Sequence, residues 1–299
     1  MREMQLATVP RMELWERERP LTSRERQQVL DDGYLVLGGI FPREMCAALN
    51  DHMLDKIEEA AEEYVSGART EFIRSFGSSP RNFEVFWDLS QGSPLEEPAP
   101  MWHHFVQRVG HGLHVDDEEF RRFVFAPAIA SVLEQVIAPP VKVVLSVVVY
   151  KQPNQAVGYY PWHQDAVYVR TEPLSLVNTF IALDDMTVEN GCLYVAPGSH
   201  RLGLEHHPHE PTHISIEDNS PGYKHREFNS EDVVALTIEQ GSVVILPGTT
   251  YHKSEVNRTG KPRRSLLFDS VSGRARVHPS SMIHEPPEGW MPIRSGVCP

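Results

Sequence analysis

Pro139-Pro140 divides the chain into two textures, and the second one admits few folds. Residues 141–151 are a β-branched run, VKVVLSVVVYK. Residues 176–183, 193–196, 233–238, 242–246 and 265–271 read as further strands. Turn signals separate them at Asn154, Asn190-Gly191, Pro197-Gly198, Gly241, Pro247-Gly248 and Gly260. Many short strands behind a helical section point to an all-β barrel or sandwich buttressed by helices. The fold class expected is mostly β with flanking helices, its core a double-stranded β-helix: a cupin-like jelly roll of eight strands.

The front section reads as helices. Thr22-Ser23-Arg24-Glu25 is a capping box opening a helix to about Asp32, and Gly33 stops it. A short strand follows at residues 34–37. Pro42 then starts a longer helix with Met45, Leu49, Met53 and Ile57 at helical spacing. Residues 66–100 are polar and punctuated by Gly and Pro, with Phe72, Phe76, Phe83, Phe86 and Trp87 interspersed. A stretch of this kind either lines a pocket or packs its aromatics onto the core. Two more helices are expected at 117–125 and 127–137. The chain reads as one domain over 1–299: an arm at 1–20, a helical buttress and aromatic loop at 21–140, a jelly-roll core at 141–275 and a tail at 276–299. A lid-like insert at 203–230 interrupts the core.

Composition narrows the function classes. The net charge is −13, which argues against nucleic acid and against an anionic membrane surface. No apolar run approaches the length of a membrane span, and no signal peptide is visible. Cys46, Cys192 and Cys298 are too few and too scattered for a disulfide framework. A reducing cytoplasm is the simplest setting.

His163-Gln164-Asp165, with His252 further on, has the ligand types of a two-His, one-carboxylate face for ferrous iron. In a strand, residues two apart share a side, so His163 and Asp165 both face one cavity while Trp162 and Gln164 turn away. His252 follows Pro247-Gly248 and comes from another strand, which only a closed sheet brings back beside the first two. The chain holds 15 histidines, so an isolated H-x-D carries little weight. The denser cluster His206, His207, His209 and His213 lies in a polar, Pro-containing segment and reads as surface loop.

Further blocks keep a definite order: 31–37 (DDGYLVL) with Phe41-Pro42, Lys151-Gln-Pro153, Tyr168, 180–185 (FIALDD), Glu189-Asn-Gly191, Pro197-Gly-Ser-His200, 241–246 (GSVVIL), 252–257 (HKSEVN) and Arg263-Arg264. In this order, over about residues 25–270, the chain resembles the phytanoyl-CoA dioxygenase family of Fe(II)/2-oxoglutarate-dependent oxygenases. The resemblance implies His163, Asp165 and His252 as iron ligands. It implies Arg263 as the grip on the distal carboxylate of 2-oxoglutarate, with Arg264 the neighbouring competitor. Arg suits that task, since its planar fork matches a carboxylate. By the same resemblance Ser254 bonds the same carboxylate and Phe180 forms an aromatic wall beside it.

The implied activity is hydroxylation of an unactivated C–H bond of a small molecule, in natural-product metabolism, with O2 consumed and succinate and CO2 released. The family's halogenating relatives lose the carboxylate, so Asp165 favours hydroxylation. A CoA thioester would want a basic cluster that this chain lacks, so the family name does not give the substrate. If the insert rich in Glu, Asp and His is a lid, a cationic or zwitterionic substrate is favoured. Substrate contacts are expected from residues 66–105, 167–174 and 203–230. The rival readings are desaturation or cyclisation on the same iron, and a non-catalytic jelly-roll binding protein.

Overall fold

The computed structural model describes residues 13–72, 81–90, 92–155, 158–205, 226–279, 281, 283 and 289–293. The cluster His206, His207, His209 and His213, and most of the insert, lie outside the described residues.

Thr22 caps helix α1 (Ser23–Asp32): its hydroxyl accepts from the Glu25 amide at 3.2 Å, and the Glu25 carboxylate accepts from the Thr22 amide at 2.8 Å. Gly33 ends the helix with φ of 73°. A Cβ at that position would collide with the His200 ring. The glycine therefore stops the helix and lets the 197–200 loop dock, with His200 Nε2–H donating to Leu30 O at 3.0 Å. Helix α2 (Arg43–Val65) buries Cys46, Leu49, Met53, Ile57 and Ala61, one stripe at spacings of three and four. Three shorter helices follow: α3 (Leu113–Asp116), α4 (Glu118–Val124) and α5 (Pro127–Val136).

Fourteen strands are found among the described residues. In chain order they are β1 (Leu35–Leu37), β2 (Val85–Trp87), β3 (Val106–Val109), β4 (Val141–Lys151), β5 (Tyr160–His163), β6 (Thr171–Glu172), β7 (Val177–Ala182), β8 (Leu193–Val195), β9 (Val234–Leu236), β10 (Val243–Pro247), β11 (His252–Ser254), β12 (Arg263–Ser272), β13 (Arg276–Val277) and β14 (Met291–Ile293). The large sheet runs β1-β10-β7-β12-β4-β3-β2, and the small one β5-β11-β8-β9. From β4 to β12, setting aside the short β6, the chain crosses between the two sheets repeatedly. The eight strands so used make the expected jelly roll.

The large sheet has two distinct faces. Val143, Val148, Ile181, Leu266 and Phe268 belong to one core with Leu49, Met53, Phe120 and Ile129 of the helices. Leu145, Val147 and Val149 of β4 face a cavity instead, together with Leu267 of β12. A bulge makes that switch on β4. Asp269 pairs Leu145 and Ser270 pairs Val143, which leaves Val144 without a partner and inverts the alternation.

Two regions differ from their sequence readings. Residues 85–87, which the sequence reads as loop, and 106–109, to which it assigns no element, extend the large sheet as β2 and β3. The aromatics around them pack on α2: Tyr64 stacks on Phe72 at 4.6 Å, and Trp87 meets Trp102 edge-on at 5.1 Å. None of the described residues of 66–105 lines the cavity, so the substrate contacts expected from that loop are not found there. The stretch expected as a C-terminal tail adds β13, paired with β6, and β14, paired with β4.

Candidate active site

The small sheet positions the two histidines. His252 on β11 is the antiparallel register partner of His163 on β5, and their ring centroids lie 4.2 Å apart. Asp165 falls just past β5, in a 3-10 turn at Asp165–Val167 and not in the strand itself. Gln164 holds that turn. Its amide donates to Thr249 O at 2.6 Å and to Gly203 O at 2.8 Å, and its carbonyl accepts from the Glu205 amide at 3.0 Å. Ala166 N donates to Gly248 O at 2.9 Å. Trp162 packs away from the cavity with Tyr251 and Ala196, the side that the alternation from His163 requires.

His163 Nε2 lies 3.4 Å from one Asp165 oxygen and His252 Nε2 lies 3.3 Å from the other. One ligand atom from each of the three residues falls within a 4.8 Å cluster. Both rings are oriented from behind. His163 Nδ1–H donates to Pro161 O at 2.7 Å, and His252 Nδ1–H donates to Thr250 O at 3.1 Å. Backbone carbonyls thus fix the tautomer that presents Nε2 to the cavity, as metal-binding histidines require. Burial alone would raise the Asp165 pKa, but the two imidazoles hold it well below the usual carboxylate range. Burial alone would lower the His252 pKa, but Asp165, followed by Thr250 O and Asp269, raises it above the usual value. A carboxylate oxygen and two imidazole nitrogens facing one point suit a divalent first-row metal such as ferrous iron.

Arg263 and Arg264 separate cleanly. Arg264 lies in a bidentate pair with Asp184, both contacts at 2.8 Å. Arg263 is buried in the cavity wall. Its guanidinium donates to Ser265 Oγ at 3.0 Å and to Gly191 O at 2.5 Å, while its Nε has no partner. Among the described residues no carboxylate pairs with it. Burial pulls its pKa down to about 10, which still leaves it cationic at neutral pH. Gly191 has φ of 77°, and a Cβ there would lie 2.2 Å from Glu255 O. Glycine is therefore required for the turn that brings this carbonyl to Arg263.

Ser254, two residues beyond His252, is buried and lines the cavity. Phe180 lines it too, its ring edge-on to His252 at 5.9 Å. Tyr168 and Val169 belong to the stretch after the H-x-D that was expected to contact substrate, and both line the wall.

Several cavity residues were given no role from the sequence. Lys151 faces Arg263 across the strand pair and is buried, with Nζ donating to Gly158 O and to Glu255 O. Burial, and then Arg263, push its pKa well below the usual lysine value. Arg108 and Tyr160 lie in the same wall, their polar ends 3.4 Å apart. Asp269 lies farther along β12, and burial followed by the Asp165 charge pushes its pKa well above the usual carboxylate range. The signal for Asp269 was parity: residues 263, 265, 267 and 269 share a face.

A family model described as phytanoyl-CoA dioxygenase (PhyH) matches residues 29–265. The chain belongs to the phytanoyl-CoA dioxygenase family. It is similar to phytanoyl-CoA dioxygenase domain-containing protein 1 of Mus musculus, 26% identical over 291 residues, covering 90% of this chain and 96% of that protein. Phytanoyl-CoA dioxygenase 1 of Oryza sativa subsp. japonica is 28% identical over 248 residues, covering 80% and 85%. Among solved structures, the epimerase SnoN in complex with Fe3+, alpha ketoglutarate and nogalamycin RO superposes with a TM-score of 0.59 at 18% identity. That match covers 91% of this chain and 93% of SnoN. At that identity the likeness speaks to the fold. The family match takes in the H-x-D and His252, and it ends two residues after Arg263.

Proposed function

We propose that this chain is an Fe(II)- and 2-oxoglutarate-dependent dioxygenase that hydroxylates an unactivated C–H bond of a small-molecule substrate, in natural-product metabolism. The observation that carries the reading is the placement of two kinds of group on one cavity. Three metal-type ligands converge there, and a buried guanidinium with no carboxylate partner among the described residues lies in the same wall. A buried charge left unpaired costs several kcal/mol, so Arg263 calls for an anion that the described residues do not supply. The family membership adds independent support.

In this reading His163, Asp165 and His252 hold ferrous iron, and Arg263 holds the distal carboxylate of 2-oxoglutarate with Ser254 beside it. Iron held there would supply the redox chemistry that couples turnover of O2 and 2-oxoglutarate to succinate and CO2 with oxidation of the substrate C–H bond. The chain's own residues bind, orient and exclude water. Pro161 O and Thr250 O keep both imidazoles aimed, Gln164 holds the turn that carries Asp165, and Phe180 closes the wall beside His252. Leu145, Val147 and Leu267 give the wall an apolar stretch. Such a wall leaves positioning to decide which carbon reacts.

The same fold is found in the carbocyclase SnoK from nogalamycin biosynthesis, and desaturation or cyclisation on the same iron is the second reading. A screen of small molecules for stimulated O2 uptake and succinate release, with product masses, tests both. Hydroxylation gives a product heavier by one oxygen atom, whereas desaturation or cyclisation gives one lighter by two hydrogens. If no compound and no condition yields iron-dependent succinate, the reading fails.

A further inference from the structure

Asp269 is a buried carboxyl in the cavity wall that the chemistry above does not use. Its cross-strand partner is Asn178 on β7, whose amide donates to one carboxyl oxygen at 2.6 Å. That is the hydrogen bond found for it, and among the described residues no Lys or Arg pairs with it. The charges that act on it are Asp165 and His252, which places it toward the metal ligands.

The apolar setting makes this carboxyl unusual. Leu145 is its partner across β4, and Leu267 precedes it on the same face of β12. Val147, Val169 and Ile283 complete that part of the wall. The Val144 bulge lies immediately beyond the Asp269–Leu145 pair, and bulges of this kind re-aim side chains beside active sites. Arg263 and Lys151 lie six residues away at the other end of the same strand pair, about 20 Å along an extended chain. The cavity is thus polarised, cationic at one end of the β4–β12 pair and carboxylic at the other.

We infer that Asp269 anchors the substrate, and that the substrate is a largely apolar amine whose ammonium group pairs with this carboxyl. The inference rests on the cavity being the substrate pocket of the proposed oxygenase. A carboxyl set among Leu and Val side chains is costly to ionise alone, and a cationic partner offsets that cost. A neutral hydroxyl would need only an uncharged acceptor. The net charge of −13 also favours approach of cations over anions. The carboxyl acts by holding the amine, so that the carbon to be oxidised is presented to the metal. It takes no part in breaking the bond.

Hexylammonium and 1-hexanol serve as matched probes, titrated by ligand-observed NMR against the full-length protein, both metal-free and loaded with Co(II). The wild type is expected to bind the ammonium about tenfold more tightly, the ratio expected when a charge-assisted hydrogen bond replaces a neutral one. Asp269→Asn is expected to remove most of that preference, since it keeps the shape and loses the charge. A merely structural Asp269–Asn178 pair would shift the melting temperature in the variant and leave the ammonium-to-alcohol ratio alone. Equal binding of the two probes by the wild type overturns the proposal without recourse to a variant. So does an ammonium preference that survives in Asp269→Asn, which would place the amine elsewhere on the acidic surface. Failure of Co(II) to bind counts against the metal centre alone, because the metal-free titration reads Asp269 separately.

Discussion

His252 stands directly opposite His163 on the antiparallel β5–β11 pair, with the ring centroids 4.2 Å apart. A carboxylate oxygen of Asp165 lies 3.3 Å from His252 Nε2 and the other lies 3.4 Å from His163 Nε2. Sheet register therefore sets the spacing of two of the proposed ligands, and the turn after β5 supplies the third. Replacing any of the three by Ala should weaken Co(II) binding more than about a hundredfold, since changes behind the ligands already cost 10–100-fold. The d–d absorption of the Co(II) protein reads this directly. A variant with the wild-type spectrum and affinity would remove that residue from the ligand set.

Arg263 and Arg264 are sequence neighbours with opposite surroundings, one in the cavity and the other paired with Asp184. Arg263→Ala should weaken 2-oxoglutarate binding by roughly tenfold to a hundredfold, the worth of charge-assisted hydrogen bonds to a carboxylate. Arg264→Ala should leave that affinity within about twofold and instead destabilise the fold by about 2 kcal/mol. Calorimetric titration with 2-oxoglutarate and denaturant unfolding separate the two. The opposite pattern would move the cosubstrate grip to Arg264.

Much of this arrangement was legible in the sequence. The Thr22–Glu25 capping box and the Val-rich β4 announce themselves, because local chemistry dictates both. β2 and β14 did not, since three-residue strands owe their existence to neighbours already in place. Alternation correctly turned Trp162 and Gln164 away from the cavity, though Asp165 enters it from a 3-10 turn. Asp269 was passed over although its parity with Arg263 along β12 marks it, and Lys151, read only within a motif, gains its place in the cavity from its register with Arg263.

Gln164 is the unlettered middle of the H-x-D, yet it makes three hydrogen bonds to backbone groups at residues 203, 205 and 249. Gln164→Leu leaves those groups without their partner. A cost of about 3 kcal/mol is expected, read from denaturant unfolding. Because the same turn carries Asp165, metal affinity should fall as well. A variant that loses stability at full metal affinity would show that the turn is not set by Gln164.

In the metal-free protein Asp165 raises the His252 pKa. Metal binding needs that imidazole neutral, so a bound proton must leave first. The sign follows: lowering pH through the raised pKa should weaken Co(II) binding about tenfold per pH unit for each proton displaced. Binding above that pKa should level off. Titrations across the neutral range, with proton release measured by calorimetry in buffers of different ionisation enthalpy, check this. Pairing that did not change with pH would mean that His252 is already neutral in the empty site.

The central claim is that this cavity couples iron and 2-oxoglutarate. Purified protein, stripped of metal and resupplied with Fe(II) in the presence of O2, should convert 2-oxoglutarate to succinate and CO2 in amounts that exceed the enzyme. The conversion should stop when Fe(II) is withheld and in His163→Ala. No succinate from the iron-loaded wild type with any substrate class, or an undiminished rate in His163→Ala, would contradict it.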